Sequence, residues 1–328
     1  MSIIEKIMLK VIKRKISEWF RLERSLANAD NVFKYCADSP EKSWPDPEKI
    51  PGGTEVPFSL KNIPIVGPSL KSSVHQGMKA IETISVNPVY AKTEISAEEL
   101  ENFETFAKES GIGAIGYTKL PARLIFKDRA VLYDTAIVLI MEMNQKSIAK
   151  APSLDTFKTV MYTYDALGLV VNKLTDRLRD MGYQAHASHP LGGLVLYPPL
   201  AVEAGLGWMG RHGLLITPQF GPRQRIAAIF ANISNLPISQ SNEHGWISEF
   251  CGSCGRCIQM CPSGAILSDP IKHDSGRETH IIRDKCLPVF VKQEGCTICV
   301  KACLFSNQSY HRLRDKAIQI NGGPGGDY

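Results

Sequence analysis

The alternation of apolar and polar positions predicts a short series of elements. Ile4, Ile7, Met8, Val11, Ile12, Trp19 and Phe20 fall close to helical spacing, so residues 1–24 read as an amphipathic helix. The proline-rich stretch from Ser39 to Pro68 reads as an irregular arm or linker. Helical periodicity resumes at Glu98–Glu109, and Ser110–Gly116 (SGIGAIG) is expected to form a glycine-punctuated turn. The unbroken apolar run Thr135–Met141 (TAIVLIM) predicts a buried strand. A long amphipathic helix is predicted from about Thr159 to Met181, with Gly182 as its stop signal. The glycine-rich run from Gly205 to Gly213 opens into a short apolar strand, Leu214–Thr217, and Ile226–Phe230 is a further strand candidate. Strands alternating with helices over residues 98–235 indicate an α/β or α+β core, without separating parallel from antiparallel pairing.

Four regions follow. They are an N-terminal helix and irregular arm (1–95), the core (96–244), a cysteine-rich domain (245–310) and a C-terminal tail (311–328) whose polar, Gly-rich end, Asn321–Tyr328, is expected to fray. At 328 residues the chain can hold one large core and a smaller one. The net charge of +5 is too small to indicate a nucleic-acid partner. Most of it lies in residues 1–24, where seven Lys/Arg stand against three Glu. Such a helix could dock on its own domain, bind a partner or lie on an anionic membrane surface. Glu5, Lys6 and Lys10 interrupt the apolar residues of the N-terminus, so no signal peptide is visible and the expected location is cytoplasmic, peripheral at the membrane if the helix binds there.

The cysteines change the picture most. Cys36 stands alone and reads as an ordinary thiol, whereas the other eight crowd into residues 251–303. Local clusters at short spacing point to metal in a reducing compartment rather than to a disulfide scaffold. The run Cys251-x2-Cys254-x2-Cys257-x3-Cys261-Pro262 has the bacterial ferredoxin spacing, in which three thiolates bind one [4Fe-4S] cube and the fourth reaches the other. The second group is Cys286-x9-Cys296-x2-Cys299-x3-Cys303, its first ligand displaced upstream. The exchange rule assigns Cys251, Cys254, Cys257 and Cys303 to one cluster and Cys286, Cys296, Cys299 and Cys261 to the other. Zinc also accepts four thiolates, but this run is far more specific for iron–sulfur.

The segment Leu200-Ala-Val-Glu-Ala-Gly-Leu-Gly-Trp-Met-Gly-Arg-His-Gly-Leu-Leu-Ile-Thr-Pro-Gln-Phe-Gly-Pro-Arg-Gln-Arg225, followed by the double cysteine signature, resembles the corrinoid-dependent reductive dehalogenases and the related epoxyqueuosine reductases over residues 98–305. The phrase from Ile216 to Arg225 leans toward the dehalogenases, and Trp208 toward the epoxyqueuosine reductases. The resemblance implies an α+β protein. Its core would be a nitroreductase-like α/β unit holding base-off cobalamin, followed by a ferredoxin-like domain with two [4Fe-4S] clusters. It implies that Gly205, Gly207, Trp208, Gly210, Arg211, Gly213, Leu214 and Thr217 face the cobalamin; closely spaced glycines suit a backbone that approaches a bulky cofactor.

The resemblance further implies a tyrosine proton donor near the start of the helix that ends at Asp180-Met-Gly-Tyr183. Tyr164 matches it, and its neighbour Asp165 matches the aspartate that epoxyqueuosine reductases use in this region. Arg223 and Arg225 match the basic partner of the tyrosine. A tyrosine titrates near pH ~10, so a guanidinium beside it is the physical means of stabilising its phenolate. The expected activity is reduction of a small organic substrate, with a ferredoxin or flavodoxin as electron donor and the clusters passing electrons to Co(II)/Co(I). The alternatives are epoxyqueuosine reduction on tRNA, for which the weak charge beyond residue 24 shows no positive face, and an electron-transfer protein with no substrate of its own.

Overall fold

The computed structural model describes residues 3–42 and 62–320. The first half runs α1 (Ile3–Leu26), β1 (Phe33–Lys34), α2 (Ile63–Glu82), α3 (Ala97–Glu109), β2 (Ala114–Lys119), β3 (Ala130–Val131), β4 (Thr135–Glu142), α4 (Gln145–Ile148) and α5 (Leu154–Asp180). Then follow β5 (Ala185–Ser188), α6 (Tyr197–Glu203), β6 (Trp208–Met209), β7 (Leu215–Ile216) and β8 (Gln224–Ala231). The C-terminal part consists of α7 (Trp246–Cys254), α8 (Arg256–Gln259), β9 (Ile266–Lys272), β10 (Glu278–Ile281), α9 (Arg283–Lys292), α10 (Ile298–Ala302) and α11 (Tyr310–Ile320). The fold is α+β, and among the described residues no helix is long and apolar enough to cross a membrane.

The central sheet has the order β2-β4-β8-β5 and every pairing in it is antiparallel. Its two middle strands are buried on both faces, which explains why β4 reads as an unbroken apolar run rather than an alternating one. Ile137 and Leu139 of β4, with Ala227 and Ile229 of β8, face Leu167, Val171, Leu174 and Leu178 of α5 and Phe103 and Ala107 of α3. Ala136, Val138 and Ile140, with Ala228 and Phe230, face the other way onto Leu200 and Ala201 of α6 and onto Leu215. The sheet is therefore the middle of three layers.

Helix boundaries follow from capping. Ser96 and Glu99 form a reciprocal capping box at the start of α3. Ser153 accepts the Thr156 N–H and so starts α5 five residues before the periodicity alone predicts. Gly182, at φ +93°, ends α5 in the left-handed conformation.

Three expectations are corrected. Ala114–Gly116 belongs to β2 rather than to a turn, because these residues pair with Val138–Ile140. The apolar phrase Leu214–Thr217 yields only the two-residue strand β7. The arm does not continue to residue 95: α2 begins at Ile63, with Pro64 in its first turn and Pro68 inside it. Proline is tolerated in a first turn, where its missing N–H would have had no partner, and Pro68 sits only one turn further in. Residues 43–61 of the arm lie outside the described residues.

The last turns of α1 dock onto this body. Ile16, Trp19 and Phe20 pack against Val66, Leu70, Val74 and Met78 of α2. Gly77 makes the contact possible, since a Cβ there would lie 2.1 Å from the Trp19 ring. Further along α1, Glu23 is buried and receives Arg129 Nε at 2.9 Å together with the ammonium of Lys42, which also bonds Gly192 O. Burying one carboxylate with two cations is stabilising only while the set is complete. Glu23→Gln is expected to lower stability by about 3 kcal/mol, visible as a shift of the urea unfolding midpoint, while an exposed control such as Glu18→Gln leaves the midpoint nearly unchanged.

Candidate functional site

Two hollows border the β6–β7 hairpin. The first is formed by the cysteine module, where α7 ends at Cys254 and Gly255, at φ +57°, turns the chain into α8. Cys251, Cys254, Cys257 and Cys303 line a small hollow together with His212, Phe250, Gly255, Arg256, Leu304 and Phe305. Burial, with the neighbouring thiols Cys257 and Cys254 adding to it, pushes Cys251 up to about 11, against an opposing hydrogen bond from the Arg211 backbone N–H. Cys303 is raised for the same reason, by burial first and then by Cys251, Cys257 and Cys254.

The other four thiols form a second set. Burial pushes Cys299 up to about 12, helped by Cys296, Cys286 and Cys257. Cys286 is raised by burial and by Cys261 and Cys296. Cys261 is the exception: burial alone would raise it, but hydrogen bonds from the Ser263 hydroxyl and from the backbone N–H groups of Ala265, Ser263 and Ile266 outweigh that and lower it. Cys257 interacts with Cys261 and Cys299, so the two sets adjoin. The β9–β10 hairpin fills the interval between Cys261 and Cys286, an element the cysteine spacing does not reveal. Around Cys296 the backbone is strained, with positive φ at Glu294, Gly295, Cys296 and Thr297 in succession. Such runs persist where packing or a ligand over-determines them. Among the described residues no three His, Cys, Asp or Glu side chains come close enough to hold a single metal ion.

The second hollow, of about 130 Å³, is lined by Tyr164, Pro190, Tyr197, Pro198, Leu214, Leu215, Pro222, Gln224, Arg225 and Ile226. Tyr164 lies well inside α5, not at its start, because the helix begins at Leu154. The Arg225 guanidinium stacks 4.4 Å from the centre of the Tyr164 ring, and its buried Nε has no hydrogen-bond partner. Arg223 goes elsewhere: its Nη1 bonds Glu142 Oε1 at 2.5 Å at the end of β4. Asp165, one step round the helix, faces Ser72 of α2; burial raises its carboxyl, with a hydrogen bond to Ser72 opposing, and its buried Oδ1 has no partner. The structure thus brings Tyr164 and Arg225 together and leaves Arg223 and Asp165 outside that hollow.

The glycine-rich run is occupied largely by protein. A Cβ at Gly207 would lie 2.1 Å from Ile216 O, and at Gly205, φ +71°, 2.7 Å from Ser239 Oγ. Gly210 makes room for the His212 ring, and Gly213, φ +69°, passes His280 Cβ. Trp208 packs with Ile247, Phe250, Phe305 and Tyr310 of the cysteine module, and Arg211 presents its backbone N–H to Cys251. Thr217 is tied to Gln224 at 2.9 Å. Of these eight residues, Leu214 lines the hollow beside Tyr164. Sequence reasoning alone singles out neither Tyr197 nor His212. Tyr197 is held by Ser188 at 2.7 Å and His189 O at 2.9 Å. For His212 the available signal is its place between two glycines just ahead of the cysteine motif.

Residues 250–307 match the family described as the 4Fe-4S dicluster domain. A tetrachloroethene reductive dehalogenase of Dehalobacter restrictus is 38% identical over 141 residues, 43% of this chain and 24% of that protein. An epoxyqueuosine reductase of a Synechococcus strain is 33% identical over 125 residues, 36% of this chain and 37% of that protein. The fold superposes on a solved reductive dehalogenase, whose structure suggests a mechanism for B12-dependent dehalogenation, with a TM-score of 0.62 and 19% identity over 80% of this chain and 40% of that one. The matches therefore span well under half the length of each of these three proteins.

The segment after β7 also fixes the cysteine module. Gly221, at φ +57°, leaves no room for a side chain: a Cβ there would lie 2.2 Å from Phe305 O, two residues beyond Cys303. Gly221→Ala should cost at least ~1 kcal/mol from backbone conformation alone. It should also displace Cys303, lowering the iron bound per chain after anaerobic reconstitution with iron and sulfide; iron content equal to the wild type would show that the loop yields instead. Taken together, these matches make the chain similar to parts of both reductive dehalogenases and epoxyqueuosine reductases, and the dicluster match gives residues 250–307 iron–sulfur cofactor potential.

Proposed function

We propose that the chain is an iron–sulfur and cobalamin-dependent reductase of the reductive dehalogenase type, acting on a small organic substrate. The observation that carries the reading is the position of Tyr164. It pairs with Arg225 in the second hollow, and it packs with Leu214 and Cys299 on the same small core of Met143, Ile148, Val160 and Val300. A proton donor and one of the thiol sets therefore meet at one place.

The residues fit the groups. Each set of four thiols is ringed by backbone N–H donors suited to sulfur carrying negative charge, and the first set surrounds a hollow rather than converging on a point, as a cube requires and a single zinc does not. Cys251, Cys254, Cys257 and Cys303 would hold one [4Fe-4S] cluster, and Cys261, Cys286, Cys296 and Cys299 the other. The second hollow offers flat apolar walls from Pro190, Pro198, Leu214 and Ile226, with Arg225 Nε and Gln224 as polar groups, a surface that suits part of a corrin or a substrate beside it. When bound, these groups would supply low-potential electrons for cleavage of a carbon–halogen, carbon–oxygen or activated multiple bond.

The protein's own contribution is the proton. Tyr164 would donate from its hydroxyl, and the stacked Arg225 would stabilise the phenolate left behind. Asp165 lies outside the hollow, toward α2. An external ferredoxin or flavodoxin is the donor consistent with this arrangement.

Anaerobic reconstitution with iron, sulfide and cobalamin should give about eight irons per chain and retained cobalamin with a base-off EPR signal. Iron without retained cobalamin would reduce the protein to an electron carrier. With reduced methyl viologen and a panel of small organohalides, Tyr164→Phe should keep both cofactors and lose roughly 100-fold or more in turnover. Undiminished turnover would move the donor role to Asp165.

A further inference from the structure

His212 sits at the tip of the β6–β7 hairpin and takes no part in the proton chemistry above. The tip is tight: Gly213 N–H bonds Gly210 O and Gly210 N–H bonds Leu214 O, both at 2.9 Å. The imidazole folds back into the space that Gly210 leaves, where a Cβ would come within 2.6 Å of ring Cε1, and the residue is 1% exposed.

The ring's tautomer follows from one contact. The backbone N–H of Leu214 donates to His212 Nδ1 at 3.2 Å. A ring nitrogen that accepts a hydrogen bond carries no proton, so the proton is on Nε2. That Nε2 is buried and has no partner in the protein. The ring lines the hollow bounded by Cys251, Cys254, Cys257 and Cys303. One residue earlier, Arg211 reaches the same set of thiols, since a Cβ at Gly252 would lie 3.5 Å from its Nη2, so the hairpin tip is turned toward them.

A buried donor without an acceptor costs about 1–3 kcal/mol. Of the side chains that line the hollow, Phe250, Leu304 and Phe305 are apolar and the Arg256 guanidinium only donates, so the acceptors to be expected there are sulfurs of the four cysteines or of a cluster they hold. Resting on the reading that these cysteines bind a [4Fe-4S] cluster, we infer that His212 donates its Nε2–H to a sulfur of that cluster and holds its reduction potential higher than cysteine ligation alone would. Donation draws electron density from sulfur and so favours the reduced cluster, which carries one more negative charge. His212 is thus a positioning and tuning residue, and it makes the two all-cysteine clusters unequal.

The test uses the full chain reconstituted anaerobically with iron and sulfide. In protein labelled with 15N-histidine, pulsed EPR of the reduced clusters should show a weak nitrogen coupling that disappears in His212→Phe. In EPR-monitored redox titrations, one of the two midpoint potentials should become more negative in His212→Phe and return toward the wild-type value in His212→Gln, whose amide keeps a donor, while the other midpoint stays in place. A wild-type chain that holds its iron but shows no histidine coupling overturns the inference even if the variant fails to fold. Equal midpoints in wild type and a fully loaded His212→Phe overturn it as well. Failure to bind iron would sink the cluster reading itself, and this inference with it.

Discussion

Leu214, Leu215 and Ile216 are consecutive in the chain, yet each belongs to a different hydrophobic core. Leu215 packs beneath the central sheet, Ile216 in the aromatic core of the cysteine module, and Leu214 on the small core shared by Tyr164 and Cys299. The alternation of side chains along a strand divides two of these attachments between opposite faces, and the end of the strand supplies the third. The arrangement depends on Gly207, where the opposing strand crosses so close to Ile216 that no Cβ fits. This short hairpin therefore sets the distance between the sheet domain and the thiols, and with it the position of both hollows.

Features set by local chemistry were legible in the sequence. The apolar run of β4 announced a strand buried on two faces, and Gly182 announced the end of α5. What escaped was decided by partners distant in sequence. α2 was hidden because its prolines read as loop, while its apolar face is explained only by Trp19 and by α5 packing against it. The antiparallel order of the sheet is set by pairings between strands far apart in sequence, and no residue encodes that locally. The glycine run was legible as a place of close approach, but not what approaches: Ser239, Ile216 O, His212 and His280 fill much of the space. Arg223, just ahead of β8, and Arg225, on it, are two residues apart and indistinguishable by type, yet one ends on Glu142 and the other on Tyr164.

Several buried polar groups tie the elements together: Glu23 with Arg129 and Lys42, Arg179 with Asn87, Asp176 and Ala185 O, and His244 with Tyr310 at 2.7 Å. These contacts tie α1, α5 and α11 to the body and leave little freedom for the elements that frame the site. Buried side-chain atoms without a hydrogen bond occur both away from the hollows, at Ser73 Oγ, His186 Nε2 and His189 Nε2, and around the β6–β7 hairpin, at His212 Nε2, Arg223 Nε and Arg225 Nε.

Each unsatisfied buried donor costs about 1–3 kcal/mol, and His212 Nε2, at the hollow of the first thiol set, is one of them. The buried thiols carry a complementary cost, since burial raises Cys251, Cys299 and Cys303 and so opposes the thiolate that a metal requires. Iron would remove the second cost by stabilising the deprotonated sulfurs, and the electron-rich sulfurs that result would be acceptors for the first. On that reading the two penalties cancel together at the first set, which joins His212 to the ligands beside it.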